Sequence, residues 1–396
     1  MMKQMEEKIK GVMPTYGRFP VCFVKGEGLW LYDDEGQRYM DLVSGVAVNA
    51  LGHGSPIMTK ALCDQSASLM HVSNLYWNKP QLDLAEKLLD LAGGDFKDVF
   101  FCNSGTEALE GAIKLCRKYG KLNQKSKLVF MNNSFHGRST GALSITGQPK
   151  YQAPFGDLLP DCLSVDFNDT EGLNSLLSSH GDDIAGVFIE PIQGEGGVIP
   201  AETAFLKTIQ DFCESKGALL VFDEVQCGAG RLGTYYAYQT LGVKPDIVCM
   251  AKGLGGGVPI GAIIANEKGS VFEKSDHGST YGGNPLMCAV SLAVTETISS
   301  GPFLAQLKQT AGYLMSALEA LKNEGKIKAV RGAGLLLGIV VESPSEVVQM
   351  AFEKQLLLIA AGSDTVRILP PLNLTMEEAE QVVEKLNQVL STSTSQ

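Results

Sequence analysis

The chain has 396 residues, 44% of them hydrophobic and 19% charged, which fits a globular protein of roughly two or three domains and excludes a disordered one. A formal net charge of -11 argues against a nucleic-acid partner held through its phosphates, leaving room only for a local basic pocket for a small anion. Nine cysteines without a CxxC pair support neither a disulfide framework nor a zinc ribbon, so a reducing compartment is expected.

The opening MMKQMEEKIKGVM mixes charges of both signs and lacks the apolar run of a signal peptide. No later run approaches the roughly 18 consecutive apolar residues of a membrane helix. We therefore expect a cytoplasmic protein without a membrane partner, provided that translation starts at Met1. LWLYDDEGQRYMDL alternates with period two on either side of Asp34-Glu35-Gly36, which predicts an early hairpin. From about residue 80, strand-like runs (DVFFCN, KLVFMN, IAGVFIEP, ALLVFDEV, DIVCMA) alternate with the helical stretches TEALEGAIKLCRKYG and ETAFLKTIQDFCESKG. This alternation predicts a large α/β domain with a mainly parallel sheet between helices. Beyond about residue 285 come a helix from Pro285 to about Ser299, the helix AQLKQTAGYLMSALEALKNEG, a strand-like GLLLGIVVE and a last helix, MEEAEQVVEKLNQVL. With the N-terminal hairpin they predict a smaller α+β domain drawn from both chain ends, giving segments 1–55, 56–290 and 291–396. The closing STSTSQ reads as a frayed tail.

Lys252 lies in VCMAKGLGGGVPIG, alone among apolar residues and glycines. Burial would push such an amine toward its neutral, nucleophilic form; a surface lysine with a covered stem is the alternative. ALLVFDEVQ ends an apolar strand on Asp223, where an α/β sheet could offer a charge to a cationic ring nitrogen, or where an aspartate could merely cap a turn. A magnesium-holding nucleotide-hydrolase strand would need a GxxxxGK[ST] loop, which is absent. GAGRLG and GAGLLLG match dinucleotide loops only superficially, for neither links a strand directly to a helix. In NSGTEALEGAIK, Ser104, Gly105 and Thr106 open a helix after a strand, as an anion cradle or as ordinary caps. NSFHGRSTGALS brings Phe135, able to stack on a flat ring, beside Arg138, able to grip a carboxylate; a core phenylalanine and a solvated arginine are the alternative. IEPIQGEGGV carries Glu195 between glycines, TVRILPPL carries Arg367, and HGSTYGGNPL carries Ser279 and Thr280. Sequence separation alone cannot pair Glu195 with Arg367. Histidines, cysteines and carboxylates lack metal-ligand spacing, so no metal is predicted.

Together, a phosphate cradle, an aromatic stacker, a ring-nitrogen acid and a lone lysine on successive strand ends are the parts that pyridoxal 5'-phosphate requires. The motifs PTYGRFPV, LGHGSP, HVSNLYWN, NSGTEALE, FHGRSTGALS, EPIQGEGG, FDEVQCGAGRLG, AKGLGGGVPIGA, STYGGNP and RILPPL resemble, in wording and order from about Met13 to Leu372, the fold-type I, class III aminotransferases of the ornithine/acetylornithine type. The resemblance implies a seven-stranded large-domain sheet and a homodimer with shared active sites. It implies that Lys252 joins the coenzyme covalently and shuttles a proton. Asp223 would hold the ring nitrogen, Gln226 the ring-hydroxyl region and Phe135 the ring face. Ser104, Gly105 and Thr106 would hold the phosphate, with Thr280 reaching the neighbouring subunit's coenzyme. Arg138, with Tyr16 and Ser279 nearby, would bind the remote end of the amino donor; Arg367 would take the α-carboxylate of 2-oxoglutarate or glutamate, and Glu195 would neutralise Arg367 when the other donor is bound. The implied reaction, in arginine biosynthesis, moves the terminal amino group of N-acetylornithine to 2-oxoglutarate. The resemblance leaves open, as alternatives, a succinylornithine, N-succinyl-diaminopimelate, ornithine or 4-aminobutyrate aminotransferase. Leu109 and Cys227 depart from the family pattern and are expected to tune substrate choice.

Overall fold

The structure, a computed structural model, describes residues 11–393. Most of the opening segment thus lies outside the described residues. The early hairpin forms as predicted: β1 (Phe23–Glu27), β2 (Trp30–Asp33) and β3 (Arg38–Asp41) make an antiparallel ribbon. Asp33 Oδ1 accepts the N–H groups of Glu35 and Gln37 across the turn, and Gly36 takes a φ of 81° that a side chain would resist.

The central strands are β4 (Phe96–Cys102), β5 (Lys127–Met131), β6 (Cys162–Val165), β7 (Ile184–Ile189), a short pair β8 (Ile192–Gln193) and β9 (Ile199–Pro200), then β10 (Leu219–Asp223), β11 (Ile247–Met250) and β12 (Gly261–Asn266). Seven of them form one sheet in the order β4-β12-β11-β10-β7-β5-β6, in which β12 alone runs against its neighbours. Two of the seven escaped the sequence reading. β6 is an edge strand with only its last residue buried, and β12 follows a glycine-rich run that reads as loop. The central strands β7, β10 and β11 are buried at every position, as a sheet covered on both faces demands.

The helix Gly105–Leu122 buries Ala108, Leu109, Ala112, Ile113, Leu115 and Cys116, a helical stripe facing the sheet. Its start is fixed by Ser104, whose Oγ accepts the Glu107 N–H at 3.3 Å. The strands β13 (Ala329–Ala333), β14 (Leu336–Val340), β15 (Leu356–Leu357), β16 (Ile359–Ala361) and β17 (Thr365–Ile368) follow the helices Pro285–Ile298 and Gly301–Asn323. Four of them form an antiparallel sheet ordered β13-β14-β17-β16, whereas β15 pairs in parallel with β3. The two chain ends thus share a sheet. The last helix, Met376–Ser393, continues through residues read as frayed tail, because Val382, Leu386, Val389 and Leu390 keep its inner face in the core. Among the described residues no single helix is long and apolar enough to cross a membrane. The helices at 285–298 and 301–323 reach that length only together, with a 66° bend between them.

Candidate active site

A cavity of about 400 Å³ opens at the carboxyl ends of the parallel strands. Five of the seven strands each deliver one part of its wall: Asn103 to Thr106 after β4, Phe135 to Arg138 beyond β5, Glu190 and Glu195 after β7, Asp223, Val225 and Gln226 at the end of β10, and Lys252 after β11. The loops after the parallel strands converge there because each parallel connection returns the chain to the amino end of the next strand, leaving the carboxyl ends together.

Asp223 is the last residue of β10 and only 5% exposed. Its Oδ1 accepts the Val225 N–H at 2.9 Å, and its Oδ2 lies 2.7 Å from His136 Nδ1. Burial works against the imidazolium of His136, but the hydrogen bond and charge of Asp223, aided by Glu190, outweigh it and raise the pKa above the usual 6.5. The opposite nitrogen of His136, Nε2, is buried with no hydrogen-bond partner. Glu190 accepts N–H groups of Phe135 at 3.1 Å and Gly194 at 3.4 Å, joining the stacking loop to the Glu195 loop. Burial, opposed by the charge of His136, pushes its carboxyl up to about 7.

Lys252 takes a φ of 47°, a strained left-handed turn for a side-chain-bearing residue, in the first turn after β11. Burial lowers the pKa of its amine, as does the charge of Arg367, against the opposing pull of Asp223, Glu195 and Glu190. Lys252 is half-buried and lines the cavity. At the other end, Arg367 on β17 is fully buried. Its Nη2 meets Glu195 Oε1 at 2.7 Å and its Nη1 meets Gln226 Oε1 at 3.2 Å, while its Nε has no partner. Arg367 therefore stands behind the cavity wall, screened by Glu195 and Gln226, which line it.

Of the residues singled out from sequence, Ser104, Gly105, Thr106, Phe135, Arg138, Glu195, Asp223, Gln226 and Lys252 line the cavity. Arg138 is exposed, with its guanidinium 3.6 Å from the centre of the Tyr151 ring. Three others stand apart. Tyr16 is 74% exposed; Ser279 accepts hydrogen bonds from Asn103 Nδ2 and the Gly282 N–H; and Thr280 borders an adjoining cleft with Asn103 and Glu107. Leu109 and Cys227 do not reach the cavity, being fully packed in the core, so neither touches a ligand there. His136 and Glu190 were missed as site residues. Glu190 carried the same signal as Asp223, an acid closing a wholly apolar strand.

The Aminotransferase class-III family profile matches residues 12–390. The chain belongs to that family. Among curated relatives of this class-III aminotransferase, an acetylornithine aminotransferase from Clostridium acetobutylicum is 50% identical over 379 residues, covering 94% of this chain and 97% of that one. Among solved structures, the N-acetylornithine aminotransferase from Stenotrophomonas maltophilia K279a superposes with a TM-score of 0.83 at 34% identity, covering 96% of this chain and 98% of that one. The ornithine aminotransferase from Toxoplasma gondii, with PLP in partial occupancy at its active site, gives a TM-score of 0.92 at 30% identity over 98% of this chain and 93% of that one.

The residues present fit that coenzyme class. The N–H groups of Gly105 and Thr106 open a long helix with no intrahelical carbonyl to bind, which suits a phosphate. Phe135 and Val225 offer apolar surfaces to a flat ring, Asp223 offers a buried and oriented carboxylate, and Lys252 an amine with a lowered pKa. Among the described residues no group of three His, Cys, Asp or Glu side chains is placed to share a metal ion.

Proposed function

We propose that this aminotransferase transfers the terminal amino group of N-acetylornithine to 2-oxoglutarate, giving N-acetylglutamate 5-semialdehyde and glutamate, in the cytoplasm and for arginine biosynthesis. The observation that carries this reading is the ion pair, at 2.7 Å, between buried Arg367 and Glu195, which lines the cavity with Lys252. A donor that reacts at its terminal amine brings no carboxylate to the reacting carbon, so Arg367 must be neutralised from within the protein. Glutamate and 2-oxoglutarate carry that carboxylate and take Arg367 once Glu195 withdraws. Arg138, on the exposed side of the cavity, would hold the remote carboxylate of the acylated donor, with Tyr16 closing from the N-terminal segment.

Pyridoxal 5'-phosphate, when bound, supplies a ring that accepts the electron pair left as the substrate carbon loses its proton. Gly105, Thr106 and Ser104 would hold its phosphate, Phe135 its face, Gln226 its hydroxyl side and Asp223 its ring nitrogen. Lys252 would anchor it and then, at Nζ, take the proton from the substrate carbon and return it to the neighbouring position. The lowered pKa of Nζ favours the free base that this task needs. The enzyme would act as a homodimer with Thr280 serving the neighbouring subunit's phosphate site. Leu75 and Trp77, 85% and 83% exposed, border the cleft that holds Ser279, and such large apolar surfaces favour a covering partner. A smaller unit drawn from both chain ends is supported by the pairing of β15 with β3, although the 290/291 division falls inside the helix Pro285–Ile298.

A donor panel with 2-oxoglutarate tests the assignment: N-acetylornithine should give the highest kcat/KM, above N-succinylornithine, ornithine, N-succinyl-diaminopimelate and 4-aminobutyrate. A clear preference for another donor transfers the enzyme to that branch of the family.

A further inference from the structure

Arg331, Gly338, Arg367 and Ile359 occupy one row across the β13-β14-β17-β16 sheet. Directly paired residues project from the same face, so the two arginines flank a glycine. The space over that glycine is filled: a Cβ there would stand 2.7 Å from Thr365 Cγ2 and 2.9 Å from Val198 Cβ. The segment 194–198, which carries Glu195, therefore lies across the sheet in the gap between the two arginines.

Both edges of this segment are tied. On one side Glu195 reaches Arg367. On the other, Gly197 O accepts from Arg331 Nη1 at 3.4 Å and from Thr365 Oγ1 at 3.3 Å. Arg331 is itself held by a two-pronged pair to Asp364, with both N–O distances 2.9 Å. The Gly362 N–H donates to Glu195 O at 2.9 Å. Val198 takes a φ of 54°, costly for a β-branched residue, and it persists because the residue is wholly buried beside Ile192, Leu336 and Leu369.

We propose that Arg331, outside the cavity, is a positioning residue for substrate selection: it pins segment 194–198 in the Gly338 gap, so that Glu195 leaves Arg367 by turning its side chain and not by lifting its backbone. The proposal rests on the reading of Glu195 and Arg367 as the gate between two substrates. A pinned backbone keeps the cavity the same for both donors except for one side chain. A loosened backbone would let Glu195 drift from Arg367 and leave the cation exposed to the ω-amine donor.

The test uses coenzyme-loaded Arg331→Met and Asp364→Asn. Amide deuterium exchange is followed in peptides covering 194–198, and single-turnover kcat/KM is measured separately for N-acetylornithine and for glutamate. Exchange in that segment should quicken in both variants while the β7 and β10 peptides keep their protection. The ratio of the N-acetylornithine value to the glutamate value should fall about tenfold. Unchanged exchange, or quicker exchange with an unchanged ratio, overturns the proposal. A wild type inert toward both donors contradicts the transamination reading and its gate, while the exchange data still decide whether Arg331 pins the segment. If Arg331→Met does not fold, Asp364→Asn, which keeps the side chain's size, carries the test.

Discussion

Asp223 and His136 face each other at 2.7 Å, both buried in the wall of the cavity. A buried carboxylate without a partner is costly, so the imidazole both stabilises Asp223 and fixes which oxygen faces it. Because the pKa of His136 is raised in the folded protein, its stabilising contribution is fully present below 6.5 and is lost as pH rises through the higher folded value. The chain has five histidines, few enough for each imidazole to be resolved by NMR. The signal that disappears in His136→Gln should titrate above 6.5 in the wild type and at a lower pH in Asp223→Asn. A midpoint at or below 6.5 in the wild type would contradict this pairing. The same carboxylate is the one proposed to hold the ring nitrogen, so Asp223→Asn should also lower turnover by about a hundredfold or more, read as steady-state kcat.

The helix after β4 begins on a glycine for a reason of packing. A Cβ on Gly105 would stand 2.8 Å from Val225 Cγ1, and Val225 is stiff and only two residues beyond Asp223. Gly105→Ala should therefore push the β10 loop away from the helix start and raise the dissociation constant for pyridoxal phosphate about tenfold, measured by fluorescence titration, with little loss in thermal stability. An unchanged constant would show that the two loops are independent. At this scale the sequence was informative wherever one strand explains itself. The continuous apolar runs of β7, β10 and β11 and the capped helix at Ser104 were read correctly, because burial on both faces and a cap are local signals. The edge strand β6, with a single buried residue, left no such pattern. The contact of Glu195 with Arg367 joins residues 172 apart and depends on where β17 lies relative to the loop after β7, which no local period records. Gly338 likewise reads as a weak strand position, and only the sheet register reveals it as the gap that admits Val198.

Over the whole molecule, the two chain ends meet in the β1-β2-β3-β15 sheet, and buried Arg231 ties the loop after β10 to the C-terminal part through the carbonyls of Leu335 and Pro370. Burial lowers its pKa to about 9, and Nη1 meets the two carbonyls at 3.1 and 2.5 Å. Through Pro370 this arginine steadies the strand end just past Arg367. Leu75, Tyr76 and Trp77 form an exposed apolar face, the one a second copy of the chain would cover in the proposed dimer. Trp77→Glu should shift sedimentation toward the monomer, and activity should fall with the dimer fraction; a fully active monomer would contradict shared sites. The proposed transamination depends on one atom, Nζ of Lys252, in the cavity at the strand ends. Reduction of the coenzyme-loaded enzyme with borohydride followed by peptide mapping tests it most directly. A pyridoxyl group is expected on Lys252, whereas one on another side chain, with Lys252 unmodified, would rule out the role proposed for that amine.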